Sequence, residues 1–194
     1  MTANELHVPV SDPARPVPTY ITLESADVIH SFWIPQLAGK MDVIPNKTNR
    51  LWIEPRTVGT YVGQCAEYCG LQHAGMLLLA TVHPTEEFNR WVAEQQTPAR
   101  DDARATEGRD LFSSLACINC HTVRGTEANG VFGPDLTHLM SRLTIGAGVI
   151  QNTPKTLRAW VDDPASIKPG ALMPAMKLSG EDLDKVTAYL LTLR

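Results

Sequence analysis

Apolar and polar side chains alternate at Tyr20-Ile21-Thr22-Leu23-Glu24 and at Arg50-Leu51-Trp52-Ile53-Glu54, and residues 76–82 form a short apolar run. Alternation with period two marks a half-buried strand, and a short apolar run bounded by turn residues suits a buried one. Prolines at 9, 13, 16, 18, 35, 45 and 55 punctuate this region and forbid long helices in it. Phe88, Trp91 and Val92 then recur at i, i+3 and i+4, predicting one or two helical turns. A polar stretch follows, residues 94–104, with Pro98 and no large apolar side chain. Beyond it the period becomes helical. Leu111, Phe112 and Leu115 share a face, and the Cys117–His121 segment is expected to end that helix. Thr153-Pro154 reads as an N-cap with proline at N1, leading into Leu157, Trp160 and Val161. Ser179-Gly180-Glu181-Asp182 resembles a capping box with Asp in the place of Glu, and Leu183, Val186, Leu190 and Leu193 follow on one face. The pattern predicts two domains. An all-β sandwich or barrel covers residues 1–95, a linker 96–104, and an all-α domain of three helices 105–194.

Each half is long enough to bury a core of its own, and 43% apolar with 20% charged residues is ordinary for folded soluble protein. The longest apolar runs, residues 76–82 and 143–150, fall far short of the roughly 18 residues that span a bilayer. Residues 1–97 carry 10 acidic and 6 basic side chains, whereas 98–194 carry 11 of each. A mildly acidic first half disfavours nucleic acid as a partner and weakly steers a basic one.

The chemistry lies in two clusters. Cys65, Cys69, His73 and Met76 fall within one short loop, and soft sulfur with imidazole favours copper over magnesium, calcium or manganese. A one-copper electron-transfer site needs a single thiolate, so the second thiolate here can bridge two copper ions. His30, at an aromatic and proline corner, is the best further ligand. Taken alone it would read as a structural histidine, and it is the loop that changes this. Cys117-Ile118-Asn119-Cys120-His121 is the C-x-x-C-H signature of covalent haem attachment. Two disulfides are the plain alternative for four cysteines in two pairs, but His121 adds nothing to a disulfide. The sixth haem ligand must come from downstream, where Met173 and Met176 are on offer. His7, His83 and His138 lack clustered partners and read as solvated or structural. Covalent haem is normally installed outside the cytoplasm, and no basic-then-apolar leader opens the chain. It therefore reads as an engineered soluble fragment, with Met1 as an added start and its export or anchor segment removed.

Residues 3–93 resemble the copper-A domain of cytochrome c oxidase subunit II. The resemblance rests on Ser25-Ala26-Asp27-Val28-Ile29-His30-Ser31, on Lys40-Met41-Asp42-Val43-Ile44-Pro45, and on the Cys-x3-Cys-x3-His-x2-Met loop. It implies a cupredoxin-like Greek-key barrel or sandwich holding a mixed-valence dicopper centre. Cys65 and Cys69 would bridge both ions, His30 and His73 would give one imidazole to each, and Met76 would be a weak axial ligand. The Glu67 carbonyl would complete the set, and in the family the side chain of this glutamate also reaches magnesium at the subunit I interface. Two departures stand out: the family's aromatic-rich first strand is absent before Thr2, and Asn46 stands where glycine usually follows the proline. Residues 104–194 resemble a class I cytochrome c domain, and the run from Lys168 to Pro174 is like those fused to subunit II in caa-type oxidases. This implies thioether links at Cys117 and Cys120, His121 as proximal ligand, and Met173 rather than Met176 as axial sulfur, because the family's ligand directly precedes a proline. Gly133-Pro134-Asp135-Leu136 matches the loop whose proline carbonyl orients the proximal imidazole, and Trp160 is a haem-edge or core tryptophan.

The resemblance implies an electron-transfer subunit of a terminal respiratory oxidase, on the periplasmic face of a bacterial membrane and anchored by N-terminal helices. Electrons would pass from an external donor (a small cytochrome, copper or iron–sulfur protein) to haem c, then to copper-A, then to subunit I and its membrane partners. No catalytic residue is expected, and the chain alone supplies no oxygen-reducing site. A nitrous-oxide-reductase-like protein would need a second, histidine-rich copper cluster, and three of the six histidines are already assigned. A copper chaperone fused to a cytochrome c would hold one copper and leave Met76 unexplained.

Overall fold

Strand pairing in the computed structural model, which describes residues 3–100 and 102–194, is concentrated in the first half of the chain. In order come β1 (Glu5–Pro9), β2 (Thr19–Leu23), β3 (His30–Phe32), β4 (Met41–Val43), β5 (Asn49–Ile53), β6 (Gly59–Gln64) and β7 (Leu77–His83). The three strands expected from alternation and the apolar run are each present within about a residue of their predicted limits. β2 and β5 pair antiparallel, with Ile21 opposite Leu51 on the inner face and Tyr20 opposite Trp52 on the outer. β3 and β4 pair antiparallel, and β7 is the centre of a sheet ordered β1-β7-β6. Val8, Ile53 and Val82 form the core of this unit, with Leu6, Val10, Ile21, Leu51 and Tyr61 packed around them. Each such buried side chain contributes about 1.5–3 kcal/mol.

β1 was not legible as a strand. Glu5 is buried and breaks the apolar alternation, and β1 pairs parallel with β7, more than seventy residues away. Pro9 closes the strand at the sheet edge, where a missing N–H is tolerated. Asn46 has φ 61 and stands in the Ile44–Lys47 turn, a left-handed position that asparagine tolerates. The expected helix follows as α1 (Thr85–Gln95).

The chain folds as two units, Asn4–Glu94 and the stretch from Gln95 to Arg194. The second contains α2 (Thr106–Ser114), α3 (Cys117–Cys120), β8 (Thr144–Ile145), β9 (Ile150–Gln151), α4 (Pro154–Asp162), α5 (Pro164–Ile167) and α6 (Gly180–Leu190). Its core is built from Phe112, Val123, Leu157, Val161, Leu183, Val186 and Leu193 among others. Phe112 meets Tyr189 in a tilted ring pair 5.4 Å apart. Gly108 lets α2 lie directly on the α6 backbone at Lys185, where a Cβ would collide.

Two expectations need correction. This unit is not all-α, because Gly146, Ala147 and Gly148 all take positive φ and fold β8 back on β9. The C-x-x-C-H motif does not end α2 either. Leu115 is extended (φ −89, ψ 174), so the motif makes a separate turn, α3, with His121 just beyond it. Both caps are present. The Thr153 hydroxyl accepts from Thr156 N–H while Thr156 accepts from Thr153 N–H, closing a box. Ser179 accepts from Asp182 N–H and donates to the Asp182 carboxylate, so only half a box forms there.

Part of the polar stretch is tied to the second unit. Arg124 donates to the Gln95 carbonyl, Ala99 N–H donates to the Arg124 carbonyl at 2.9 Å, and His138 Nε2 lies 3.1 Å from the Thr97 carbonyl. His138 is thus a buried structural histidine, as expected. Among the described residues, no helix is long and apolar enough to cross a membrane.

Candidate copper and haem centres

The loop between β6 and β7 is pinned at both ends. Cys65 N–H donates to the Met76 carbonyl and Ala66 N–H to the Ser31 carbonyl, both at 2.9 Å, which ties the loop to β3. Gly63 allows β6 to press on residues 33–34, since a Cβ there would sit 2.6 Å from the Trp33 carbonyl oxygen. Gly70, at φ +107, turns the chain between Cys69 and His73. Every loop ligand named from the sequence is brought together with His30. The Cys65 and Cys69 sulfurs are 3.7 Å apart, far beyond the roughly 2.05 Å of a disulfide, and all four cysteines are free. His30 Nδ1 lies 3.8 Å from Cys65 Sγ, and His73 Nδ1 lies 3.7 Å from Cys69 Sγ. Met76 Sδ is 3.9 Å from Cys69 Sγ, and the Glu67 carbonyl oxygen is 3.1 Å from Cys65 Sγ. Two thiols side by side, each with an imidazole within 4 Å, plus a thioether and a carbonyl, fit a soft metal such as copper.

Electrostatics primes one sulfur. Burial alone would raise the Cys65 thiol, but the Ser31 and Glu67 backbone contacts and the two imidazoles bring it down to about 6. Cys69 is pushed up by burial and by its neighbour Cys65. Asp27, which the ligand pattern missed, accepts a 2.9 Å bond from His30 Nε2 and thereby leaves Nδ1 facing Cys65. Burial lowers the His30 pKa, but the Asp27 and Cys65 partners outweigh it and the net shift is upward. Asp27 is itself held below the usual carboxylate range, chiefly by His30.

In the second unit, α3 presents Cys117 and Cys120 at i and i+3, one face of a single turn. Burial raises the Cys117 thiol. His121 Nδ1 is 2.8 Å from the Pro134 carbonyl oxygen, so its N–H is turned to that acceptor and Nε2 is left as the ligand atom. Burial lowers the pKa of this imidazole, and the Pro134 hydrogen bond only partly offsets it. Gly133 lies flat against the ring, where a Cβ would sit 2.5 Å from Cε1. Val131 and Phe132 beside Gly133, and Leu172 beside Met173, are exposed apolar side chains of the kind a macrocycle would cover. These features fit haem. Met173 and Met176 are both half-buried between α5 and α6, and Leu178 is the residue of that segment that packs on the core. Trp160 packs on the core and over Gly146.

One expectation fails. His7 and His83 do have clustered partners: they are 2.8 Å apart through Nδ1 and Nε2, and His7 Nε2 is 3.5 Å from a Glu5 carboxylate oxygen. The parallel β1–β7 pairing brings them together, which sequence spacing could not reveal.

A β unit with a sulfur-and-imidazole loop, followed by a helical unit with C-x-x-C-H and its orienting carbonyl, defines a class: a cupredoxin-like domain joined to a cytochrome c domain. Residues 2–82 match the cytochrome c oxidase subunit II periplasmic domain, and residues 105–194 match cytochrome c. The chain belongs to the cytochrome c oxidase subunit II family, with a cytochrome c domain after the periplasmic one. It is 40% identical over 177 residues to cytochrome c oxidase subunit 2 of Alkalihalophilus pseudofirmus, covering 89% of this chain and 50% of that protein. With the subunit 2 of Bacillus sp. strain PS3 it shares 33% over 208 residues, covering all of this chain and 56% of that one. The chain thus spans about half the length of the curated relatives it matches. Among solved structures it is similar to the periplasmic domain of subunit II of cytochrome oxidase (CoxB) of Bradyrhizobium japonicum. That match has 36% identity, a TM-score of 0.43, and coverage of 47% of this chain and 62% of that one.

Proposed function

We propose that this chain is the electron-transfer part of an oxidase subunit II on the periplasmic side of a membrane complex. Its partners are subunit I and an external electron donor. Cys65, Cys69, His30, His73, Met76 and the Glu67 carbonyl hold two copper ions. Cys117 and Cys120 would attach one haem c, with His121 and Met173 as the residues that would hold its iron. Held there, the haem and the copper pair would supply one-electron chemistry between an external donor and subunit I. The residues' own task is to fix donor atoms before metal arrives: Asp27 aims His30, Pro134 aims His121, and the Ser31 and Glu67 backbone groups favour the Cys65 thiolate. Histidine–methionine ligation raises a haem potential, which suits electron transfer.

The observation that supports this reading best is the adjacency of two free thiols 3.7 Å apart, each with its own imidazole. A one-thiolate copper site needs no second sulfur. Metal analysis of the loaded chain tests it: two coppers and one iron per chain are expected, with haem resisting extraction by acidified organic solvent. Cys65→Ser should lose the dicopper absorption while leaving the haem spectrum intact. One copper per chain, or extractable haem, would contradict the assignment.

A further inference from the structure

The Glu5, His7 and His83 cluster stands apart from the sulfur-and-imidazole loop of its own unit. His83 ends β7, whose other end begins one residue after Met76, and a strand of this length puts about 20 Å between them. In the β1–β7 register His7 is opposite Thr81 and Pro9 opposite His83, so the two imidazoles share one face as diagonal neighbours. Glu5 and His7 are two residues apart on β1 and also share a face.

The roles of the ring nitrogens follow from this placement. Glu5 is buried, and one of its carboxylate oxygens lies 3.5 Å from His7 Nε2, a placement that favours the ring tautomer with its N–H on that side. His7 Nδ1 is then a lone pair aimed at His83 Nε2, 2.8 Å away. A carboxylate behind one imidazole nitrogen, with the other nitrogen presented forward, is how proteins orient metal-binding histidines. Trp91 lies flat on the His7 ring, 4.1 Å between centroids and 9° between planes, and fixes the plane of that ring. The Glu87 carboxylate also faces His83 and adds negative charge beside it.

We infer that His7 Nδ1 and His83 Nε2 form a second metal site, for a borderline divalent ion of the zinc class, with Glu5 as the positioning carboxylate. Zinc–nitrogen bonds of about 2.0–2.1 Å at tetrahedral angles need nitrogens about 3.3 Å apart, so the facing nitrogens open from 2.8 Å and both rings turn within their planes until their lone pairs converge on the ion. His83 shifts its proton from Nε2 to Nδ1 as the ion enters, and no net proton is released. Water completes the coordination. The ion ties the edge strand β1 to the central strand β7.

Zinc chloride titrated calorimetrically into the copper-loaded, haem-bearing chain tests this directly. One zinc should bind beyond the copper, with the dicopper absorption unchanged, and should raise the unfolding temperature. His83→Asn or His7→Asn should weaken binding at least tenfold and remove the thermal shift. Glu5→Gln keeps both ligands and should weaken binding about 10–100-fold. No zinc uptake, equal affinity in a folded histidine variant, or uptake that displaces copper would overturn the site. Unchanged affinity in Glu5→Gln would overturn the arrangement even if neither histidine variant folds.

Discussion

Asp27 and Pro134 do the same work for two different imidazoles. Each takes one ring nitrogen of a histidine, at 2.9 and 2.8 Å, and so decides which nitrogen faces its donor set. Asp27→Ala should therefore lower copper affinity about 10–100-fold, measured against a copper chelator, without altering the haem spectrum. The axial methionine is settled by a paired change. Met173→Ala should abolish the weak long-wavelength band of methionine-ligated ferric haem and lower its potential, whereas Met176→Ala should keep both; the reverse pattern would reassign the ligand. The cysteines, His73, Met76 and His121 were readable because ligand chemistry ties residue type to short spacing. His30 became readable only in their company. Asp27 sits three residues before His30 and was missed because an exposed aspartate in a turn has no pattern of its own. Glu5, His7 and His83 were missed for a stronger reason: their partnership spans 76 residues and exists only through strand pairing.

Among the elements, those read most accurately carry their signal locally. The Thr153 cap is one, since its hydroxyl accepts from Thr156 N–H and starts a helix that delivers Leu157 and Val161 to the core. Thr153→Ala should cost about 1 kcal/mol, seen as a lower urea midpoint with unchanged m-value. β2, β5 and α1 were legible for the same reason, as periodic runs with an inner and an outer face, and β7 as a short apolar run. The β8–β9 hairpin was not, because a two-residue ladder offers no period to read and its turn depends on Ala147 joining two glycines at positive φ. The break at Leu115 was hidden likewise: its side chain continues the apolar face of α2 while its backbone leaves the helix.

At the scale of the whole chain, two cores serve two donor sets. Val8, Ile53 and Val82 anchor the sheet that carries the copper loop, and the helical core around Phe112 and Leu193 backs the haem motif. The change of hydrophobic period announced this division. The fate of the polar stretch was not announced, since Gln95, Thr97 and Ala99 are held through backbone groups that any sequence would supply. The central proposal is that three metal ions would be organised as two redox centres, because Cys65 and Cys69 lie close enough for two coppers to share them. Counting electrons tests it most directly. Coulometric titration of the fully oxidised, metal-loaded chain should take up two electrons per chain, one bleaching the dicopper absorption and one converting the haem spectrum. Three electrons per chain would mean that the coppers titrate as separate ions, and the account of a shared pair of thiolates would be wrong.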